Sequence, residues 1–139
     1  MTPLLAVQGL TVTFRSGGSG RRVRALDGVD LTVRAGETVG LVGGSGAGKS
    51  TVARAVVGLI RPDSGRILLE GTDVSALSRA ALRSRRREMH LVFQDPYSAL
   101  PPTLPVGRIV AEPLVIHRLG DREARVRDAL AAVHLPDRY

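Results

Sequence analysis

One short stretch of the chain combines glycines, a lysine and a hydroxyl group at a spacing that can bind phosphate. Residues 43–50, called the phosphate loop below, fit the pattern G-x-x-x-x-G-K-[ST] at every fixed position. Glycines let the backbone curl so that successive N–H groups point at phosphate oxygens. We expect Lys49 to reach the β- and γ-phosphates of a nucleotide, and the Ser50 hydroxyl to bind Mg²⁺. The predicted nucleotide-binding residues here are Gly43, Gly44, Ser45, Gly46, Ala47, Gly48, Lys49, Ser50 and Thr51.

The segments on either side of the phosphate loop are those that phosphate binding needs. Residues 38–42 are an apolar run that predicts a strand covered on both faces. Residues 50–60 predict a helix with one core-facing apolar stripe, formed by Val52, Ala55, Val56 and Leu59. The helix would add its unpaired N–H groups and the positive end of its dipole. The alternative, a Gly/Ser linker that matches by chance, does not explain this context. Lys49 is also the only lysine among 20 basic residues, which suggests that a guanidinium would crowd the loop.

Composition limits the remaining classes of function. The 139 residues suffice for one domain, and with 43% hydrophobic but 3% aromatic residues its core must consist of Val, Leu, Ile and Ala. The absence of cysteine excludes disulfides and cysteine catalysis. No apolar run approaches the ~20 residues of a membrane span, and no signal peptide is recognisable. We therefore expect a soluble protein, or one held at a membrane only through a partner.

The net charge of +7 raises the question of a nucleic-acid surface. The arginines are spread along the chain, however, apart from residues 21–22 and 85–87, and few aromatic residues are available to stack on bases. We predict no nucleic-acid partner. Residues 85–87 are interpreted as a solvated helix face that caps the negative end of its own helix.

Hydrophobic periodicity predicts a mixture of strands and helices. Besides residues 38–42, five segments predict strands: residues 4–8, 10–14, 23–33, 66–70 and 89–93, the last of them buried. Gly9 separates the first two, and Asp27-Gly28 predicts a turn inside the third. Besides residues 50–60, helices are predicted at residues 75–87, near residues 106–113 and at residues 121–133. Pro113 is expected to end or kink the third helix, and Asp121 to cap the fourth.

Three stretches resemble the ATP-binding subunits of ABC transporters, in particular the oligopeptide/dipeptide importer type: residues 25–38, 62–74 and 91–114. The third contains F-Q-D-P at residues 93–96, which is more specific than the phosphate loop alone. The resemblance covers nearly the whole chain. It implies an α/β fold, the N-terminal part of a P-loop NTPase with a RecA-like core. Residues 1–95 would form the antiparallel β subdomain and P-loop core, and residues 96–139 the Q-loop continuation and the start of a helical subdomain.

The resemblance implies ATP and Mg²⁺ as cofactors and gives roles to two further residues. Gln94 would be the Q-loop glutamine, which reaches Mg²⁺ and the attacking water and signals to a transmembrane partner, since its amide both donates and accepts hydrogen bonds. The alternative is a polar residue that ends a strand. Phe14 would stack on adenine, although alternation also places it on a plausible core face. Lys49 and Gln94 are thus the implied catalytic residues, and Ser50 and Gln94 the implied metal ligands.

The resemblance also implies partners: transmembrane permease subunits and a second ATP-binding subunit, identical or different. The protein would lie peripherally on the cytoplasmic face of the cell membrane and power the import of peptides or similar solutes. The family's L-S-G-G-Q signature, its strand ending in Asp-Glu and its switch histidine have no counterpart here. We therefore expect the chain alone to bind nucleotide weakly without turnover. We also expect poor solubility, because the strand at residues 38–42 lacks neighbours.

Two other classes of function stay open. A small-molecule kinase would also use a phosphate loop, but such enzymes usually have it near the N-terminus, whereas here the strand-rich residues 1–42 precede it. Phosphate transfer to an added acceptor would identify a kinase. A short nucleotide-binding or regulatory module could occupy an ABC partner without hydrolysis, and co-purification with a full-length subunit would indicate it.

Overall fold

The computed structural model describes residues 2–15, 21–95 and 100–135 of the chain. The chain divides into two compact units, residues 1–91 and residues 92–139. Among the described residues, the first unit contains a sheet packed against a helix, a second short helix and a 3₁₀ turn, and the second unit contains two helices.

The sheet of the first unit is antiparallel throughout and has the strand order β2-β1-β3-β4. Its strands are β1 (Leu5–Arg15), β2 (Arg22–Val33), β3 (Ser64–Leu69) and β4 (Thr72–Asp73). β1 pairs with β2 on one side and with β3 on the other. It is therefore the strand around which the sheet is built.

Two predicted interruptions of strands are β-bulges instead. Residues 4–8 and 10–14 were expected to be separate strands, but β1 runs through Gly9, which has φ 55° where the register with β2 slips. The predicted turn at Asp27-Gly28 is likewise wrong, because both residues lie inside β2 and Gly28 has φ 66°. A bulge and a turn both use a glycine with positive φ, so the local sequence does not distinguish them.

The hydrophobic core lies between this sheet and helix α1 (Lys49–Val56). Val52 and Ala55 of the predicted stripe are the buried residues of α1, and Val56 is partly buried against the core, but Leu59 lies beyond the helix and is 54% exposed. The core residues are Val7, Leu10, Val12, Leu26, Val52, Ala55, Ile67, Leu69 and Val74. Strands β1, β2 and β3 all contribute to this core, and α1 packs against them through Val52 and Ala55.

Helix α1 ends earlier than the predicted residue 60. Gly58 takes φ 70° and donates its N–H to the carbonyl of Ala55 at 2.9 Å, while Leu59 donates to the carbonyl of Arg54 at 2.8 Å. This pair of bonds around a left-handed glycine is a Schellman motif, which closes the C-terminus of a helix. Gly58 therefore ends the helix.

Two predicted buried strands are not formed. Residues 38–42 and 89–93 have no strand pairing in the described part of the chain, and Val42 and Val92 are 96% and 91% exposed. A continuous apolar strand needs a neighbouring strand at its edges and packed layers on both faces. Residues 2–15, 21–95 and 100–135 supply neither for these segments, so their apolar character alone does not make them strands.

The helix predicted at residues 75–87 is shorter, α2 (Arg79–Arg85), and is followed by a 3₁₀ turn, Arg86–Glu88. The Ser78 hydroxyl accepts a hydrogen bond from the N–H of Ala81 at 3.3 Å and so caps α2. Leu77 and Leu82 pack against the core, as predicted.

Two residues of the arginine run, Arg85 and Arg86, are not a solvated cap of their own helix alone, because both also contact other segments. Arg85 forms an ion pair with Glu88 at 2.7 Å and donates to the carbonyl of Leu69 at 3.4 Å. Arg86 instead donates to carbonyls at the end of α1, as described below. Tertiary contacts with β3 and α1, which no local pattern encodes, determine where these side chains lie.

The second unit contains α3 (Val106–Ile116) and α4 (Arg122–Ala132). Pro113 lies inside α3, so of its two expected effects the end of the helix is wrong, and the kink stays a prediction. Asp121 precedes α4 as predicted, but its side chain makes no capping hydrogen bond and its backbone has φ 52°. None of the helices in the described residues is both long enough and apolar enough to cross a membrane.

Candidate functional site

The phosphate loop joins the extended residues 38–42 to the N-terminus of α1. Gly46 and Gly48 take φ 78° and 87°, and the Ala47 N–H donates to the Gly44 carbonyl at 3.3 Å. These left-handed glycines curl the backbone as the sequence predicts. Gly48 is the N-cap of α1, and neither a side-chain cap nor an acidic residue occupies the first turn. The first N–H groups of α1 therefore have no intrahelical acceptor and can bind an anion.

Gly48 fixes this end of the loop against β2. A Cβ at Gly48 would lie 2.6 Å from the Ala25 carbonyl oxygen and 2.7 Å from Cδ2 of Leu26. Both the positive φ and the contact with backbone exclude a side chain. A Cβ at Gly44, in contrast, would have no atom within 4 Å. The close approach of loop to strand is thus confined to the end that leads into α1.

Lys49 lies across the loop. Its Nζ donates hydrogen bonds to the carbonyl oxygens of Gly43 and Gly44, each at 2.7 Å. An ammonium group has three donors, so one remains for an anion at the loop. The full charge of Lys49 adds to the partial positive charge at the N-terminus of α1. The loop is therefore an electropositive site built mainly from backbone.

The hydroxyl residues of the predicted site lie at the same end of α1. Ser50 is exposed in its first turn, Thr51 is half-buried, and Ser45 is exposed in the loop. A hydroxyl in the first turn suits a Mg²⁺ ion that is bound mainly by phosphate and water. In the described residues, no group of three or more His, Asp or Glu could hold a metal ion by itself. The donor set thus fits a metal that enters together with a nucleotide.

Phe14 lies near the end of β1, outside the phosphate loop. It shares the alternation of Leu10 and Val12, which are buried, but its own side chain is 43% exposed. Its partner across the strand pair is Val23, which is also exposed. The core therefore ends before Phe14, and the aromatic face is accessible for stacking rather than packed in the core.

Gln94 belongs to the second unit, where it is exposed in an irregular segment. It does not end a strand, because no strand is present at residues 89–93. The structure thus brings together the residues of the phosphate loop and α1, whereas Phe14 lies on β1 and Gln94 lies in the other unit. The roles of Phe14 and Gln94 stay predictions.

Sequence reasoning missed the contacts that hold α1 in place. Ala25 and Leu26 contact Gly48, and Arg86 binds the carbonyls of Val57 and Gly58. The partners in these contacts are more than 20 residues apart in sequence, so no periodicity or motif points to them. Arg86 also lines a cavity of about 390 Å³ with three other arginines and an apolar floor. No aspartate or glutamate is among the described residues that line this cavity.

Comparison with known proteins identifies the family. Residues 26–139 match the sequence model of the family described as ABC transporter. The chain belongs to the ABC transporter family. A Brucella ovis relative named for peptide import and ATP binding is 42% identical over 138 residues, covering 97% of this chain and 43% of the relative. The oligopeptide transport ATP-binding protein OppD of Mycobacterium tuberculosis is 48% identical over 115 residues, covering 81% of this chain and 19% of OppD. This ABC transporter chain thus spans less than half of either relative.

Solved structures confirm the α/β P-loop NTPase fold class of this ABC transporter chain. The dimeric ATP-binding cassette MJ0796, bound to ADP and Pi, superposes with a TM-score of 0.78 at 26% identity, covering 97% of this chain and 59% of the cassette. CbiO1 of Clostridium perfringens, part of the ABC transporter complex CbiONQ, superposes with a TM-score of 0.71 at 30% identity. It covers 97% of this chain and 52% of CbiO1. The resemblance seen in residues 25–38, 62–74 and 91–114 is confirmed.

Proposed function

We propose that this chain is the nucleotide-binding portion of an ABC transporter ATP-binding subunit of the peptide-importer type. The phosphate loop and the first turn of α1 bind the phosphates of ATP together with Mg²⁺. The observation that supports this best is the structure of the loop. The backbone of Gly48 lies close to Ala25, and the N-terminus of α1 has no side-chain cap. Lys49 donates a hydrogen bond across the loop. Such a loop offers N–H groups and a cation to phosphate oxygens without rearranging the sheet.

Each residue of the site has a distinct part in this proposal. Lys49 supplies a cation to the β- and γ-phosphates, and the Ser50 hydroxyl is the protein ligand of Mg²⁺. The exposed ring of Phe14 stacks on the adenine base. The Gln94 amide reaches Mg²⁺ and the attacking water. The metal supplies neutralisation of phosphate charge when it is bound.

The partners and the transported solute are part of the same proposal. The relatives are named for peptide import and oligopeptide transport, and the structural neighbour MJ0796 is a dimer. We infer that the complete subunit pairs with a second ATP-binding subunit and with permease subunits, on the cytoplasmic side of the cell membrane. Peptides or similar solutes are the cargo.

This chain by itself binds nucleotide without turning it over. Hydrolysis in such a site needs a carboxylate that orients water near the γ-phosphate and further donors to the charge that develops. The 139 residues contain no Asp-Glu pair. The cationic loop is sufficient for binding, whereas the groups that activate water are not among these residues.

The test is titration of the purified chain with MgATP, followed by calorimetry or by fluorescence of a labelled analogue. Replacing Lys49 with Ala removes a charged donor and is expected to weaken MgATP binding by about 10- to 100-fold, corresponding to about 1.5–3 kcal/mol. Lys49→Arg is expected to bind almost as weakly, because the wider guanidinium does not fit the loop. Arg54→Ala is the matched control: it removes one positive charge from the exposed side of the same helix and should leave the affinity within about twofold.

Two results would contradict this proposal. Equal MgATP affinity of the Lys49→Ala variant and the unmodified chain would exclude the phosphate loop as the binding site. A Lys49-dependent release of phosphate at the rate of complete ABC subunits would refute the absence of turnover, while leaving the binding site in place.

A further inference from the structure

Helix α1 has few anchors along its length. It is 8 residues long, and Val52 and Ala55 are its buried residues. Its N-terminal end rests on β2 through Gly48, which contacts Ala25 and Leu26. The position of Lys49 and Ser50 at one end must therefore depend also on how the other end is held.

The C-terminal end of α1 is held by one side chain from a distant segment. Arg86 donates from Nε to the Val57 carbonyl at 3.0 Å and from Nη2 to the Gly58 carbonyl at 2.6 Å. These two bonds from one planar guanidinium define both the position and the orientation of the helix end. They also place a cation at the negative end of the α1 dipole, which is the favourable sign.

A close steric contact beside this pair leaves little room for α1 to shift. A Cβ at Gly58 would lie 2.6 Å from Cδ2 of Leu82 in α2. Gly58 also has φ 70° and is the left-handed residue of the Schellman motif. The backbone of α1 thus ends directly against α2, and Arg86 fastens the two segments at that point.

The neighbouring residue Arg85 contacts β3 rather than the end of α1. Arg85 pairs with Glu88 and donates to the Leu69 carbonyl at the end of β3, so it connects the same segment to the sheet. Two consecutive arginines therefore make two separable connections, one to β3 and one to α1. Only the second involves the helix that begins in the phosphate loop.

We propose that Arg86 is a positioning residue for the phosphate loop: through the C-terminus of α1 it sets the position of Lys49 and Ser50, and so the affinity for nucleotide. The helix is about 12 Å long, at about 1.5 Å per residue. Because it is short and rigid, a shift of its C-terminus also moves Lys49 and Ser50 at its N-terminus. This proposal rests on the proposed nucleotide-binding function of the phosphate loop.

The experiment compares Arg86→Met with Arg85→Met in the full chain. Both variants lose one guanidinium from the same segment and keep an unbranched apolar stem, but only the first loses the bonds to α1. We expect Arg86→Met to raise the Kd for MgATP by about three- to tenfold, a modest effect because the guanidinium is solvent-exposed. Arg85→Met should leave the Kd within about twofold, since its bonds reach β3.

Amide hydrogen exchange of the nucleotide-free chain gives a second, independent readout. Arg86→Met should accelerate exchange along α1 as far as Val52 and Ala53, by a factor similar to its effect on Kd, whereas Arg85→Met should not. If Arg86→Met does not fold, the pair Arg86→Lys and Arg85→Lys replaces it. Arg86→Lys keeps the charge but loses the bidentate geometry, so a smaller change of the same sign is expected.

The outcomes separate the two proposals. If the unmodified chain does not bind MgATP, the proposed function fails, and hydrogen exchange alone decides the role of Arg86. If the chain binds MgATP and both arginine variants change the Kd equally, or neither does, Arg86 has no specific effect on the loop. Faster exchange confined to residues 57–60 would also overturn the proposal, because the helix would then not transmit the change.

Discussion

The antiparallel sheet and the two extended segments, residues 38–42 and 89–93, are similarly apolar in sequence but are buried to very different extents. Leu10 and Ile67 of the sheet are almost completely buried, whereas Val42 and Val92 of the segments are almost completely exposed, and only Met89 of residues 89–93 packs against the core. Strand β1 pairs with β2 and with β3, and α1 covers one face of these strands. The extended segments have no strand partner among the described residues.

This difference shows what each kind of strand requires. An antiparallel strand can be completed by a neighbour in the same short stretch of chain and needs one covered face, which α1 provides. A strand that is apolar throughout needs partners on both sides and layers on both faces. The described residues of this chain, which spans 43% of its Brucella relative, do not provide such partners. The apolar sequence of residues 38–42 and 89–93 therefore indicates that they favour burial, but it does not indicate which segments would bury them.

The largest expected difference is in the free energy of unfolding, between a substitution in the sheet and one in residues 38–42. Ile67→Ala removes a side chain that is 1% exposed in the core and is expected to lower the free energy of unfolding by about 2–5 kcal/mol. Val42→Ala removes a side chain already in water and should change it by less than about 0.5 kcal/mol. Urea denaturation followed by circular dichroism measures both. A loss above about 1 kcal/mol in Val42→Ala would show that residues 38–42 are packed in solution.

The phosphate loop joins the exposed residues 38–42 to the packed helix α1. Gly44 and Gly48 show where in the loop close packing begins, because only Gly48 lies against a strand. Gly48→Ala would force a methyl group against the Ala25 carbonyl at positive φ, so we expect a loss of about 2–4 kcal/mol in unfolding free energy and of MgATP binding. Gly44→Ala meets open space and should keep stability within about 1 kcal/mol. Denaturation and MgATP titration of both variants provide the measurement. Similar behaviour of the two variants would place the boundary outside the loop.

The smallest expected effect is that of a substitution at Phe14, which lies near the end of β1 beyond the buried core. Phe14→Ala should weaken MgATP binding by about five- to tenfold, the lower end of the ~1–3 kcal/mol that stacking on a base contributes. Inorganic triphosphate has no base, so its affinity should not change. Val23→Ala, the exposed partner of Phe14 across the strands, is the control and should bind MgATP normally. Equal weakening of MgATP and triphosphate by Phe14→Ala would exclude a stacking role.

The predictions that succeeded concern residues whose role depends on their immediate neighbours. The G-x-x-x-x-G-K-S spacing predicted that a helix begins at Ser50, and in the structure α1 begins one residue earlier, at Lys49. The apolar stripe through Val52 and Ala55 predicted the buried face of α1. Alternation predicted β1, but the same alternation could not show that the core ends before Phe14. The extent of a core depends on how many elements cover the sheet.

The predictions that failed concern residues whose role depends on distant partners. Gly9 and Gly28 were expected to break strands, yet pairing with the neighbouring strand carries β1 and β2 through both positions as bulges. Arg86 was expected to cap its own helix, but the carbonyls at the end of α1 are within its reach. In each case the competing partner lies in another element of the fold, beyond the reach of a local sequence pattern.

The sequence by itself determined the α/β class, the phosphate loop and the kinship with ABC transporters, because glycine conformations, helix periodicity and motif spacing are local properties of the chain. Only the tertiary structure decided that Gly48 must lack a side chain against Ala25, that Arg86 holds the far end of α1, and that residues 38–42 are exposed. These features arise when segments far apart in sequence pack together, and excluded volume and hydrogen-bond geometry then select contacts that no local pattern specifies.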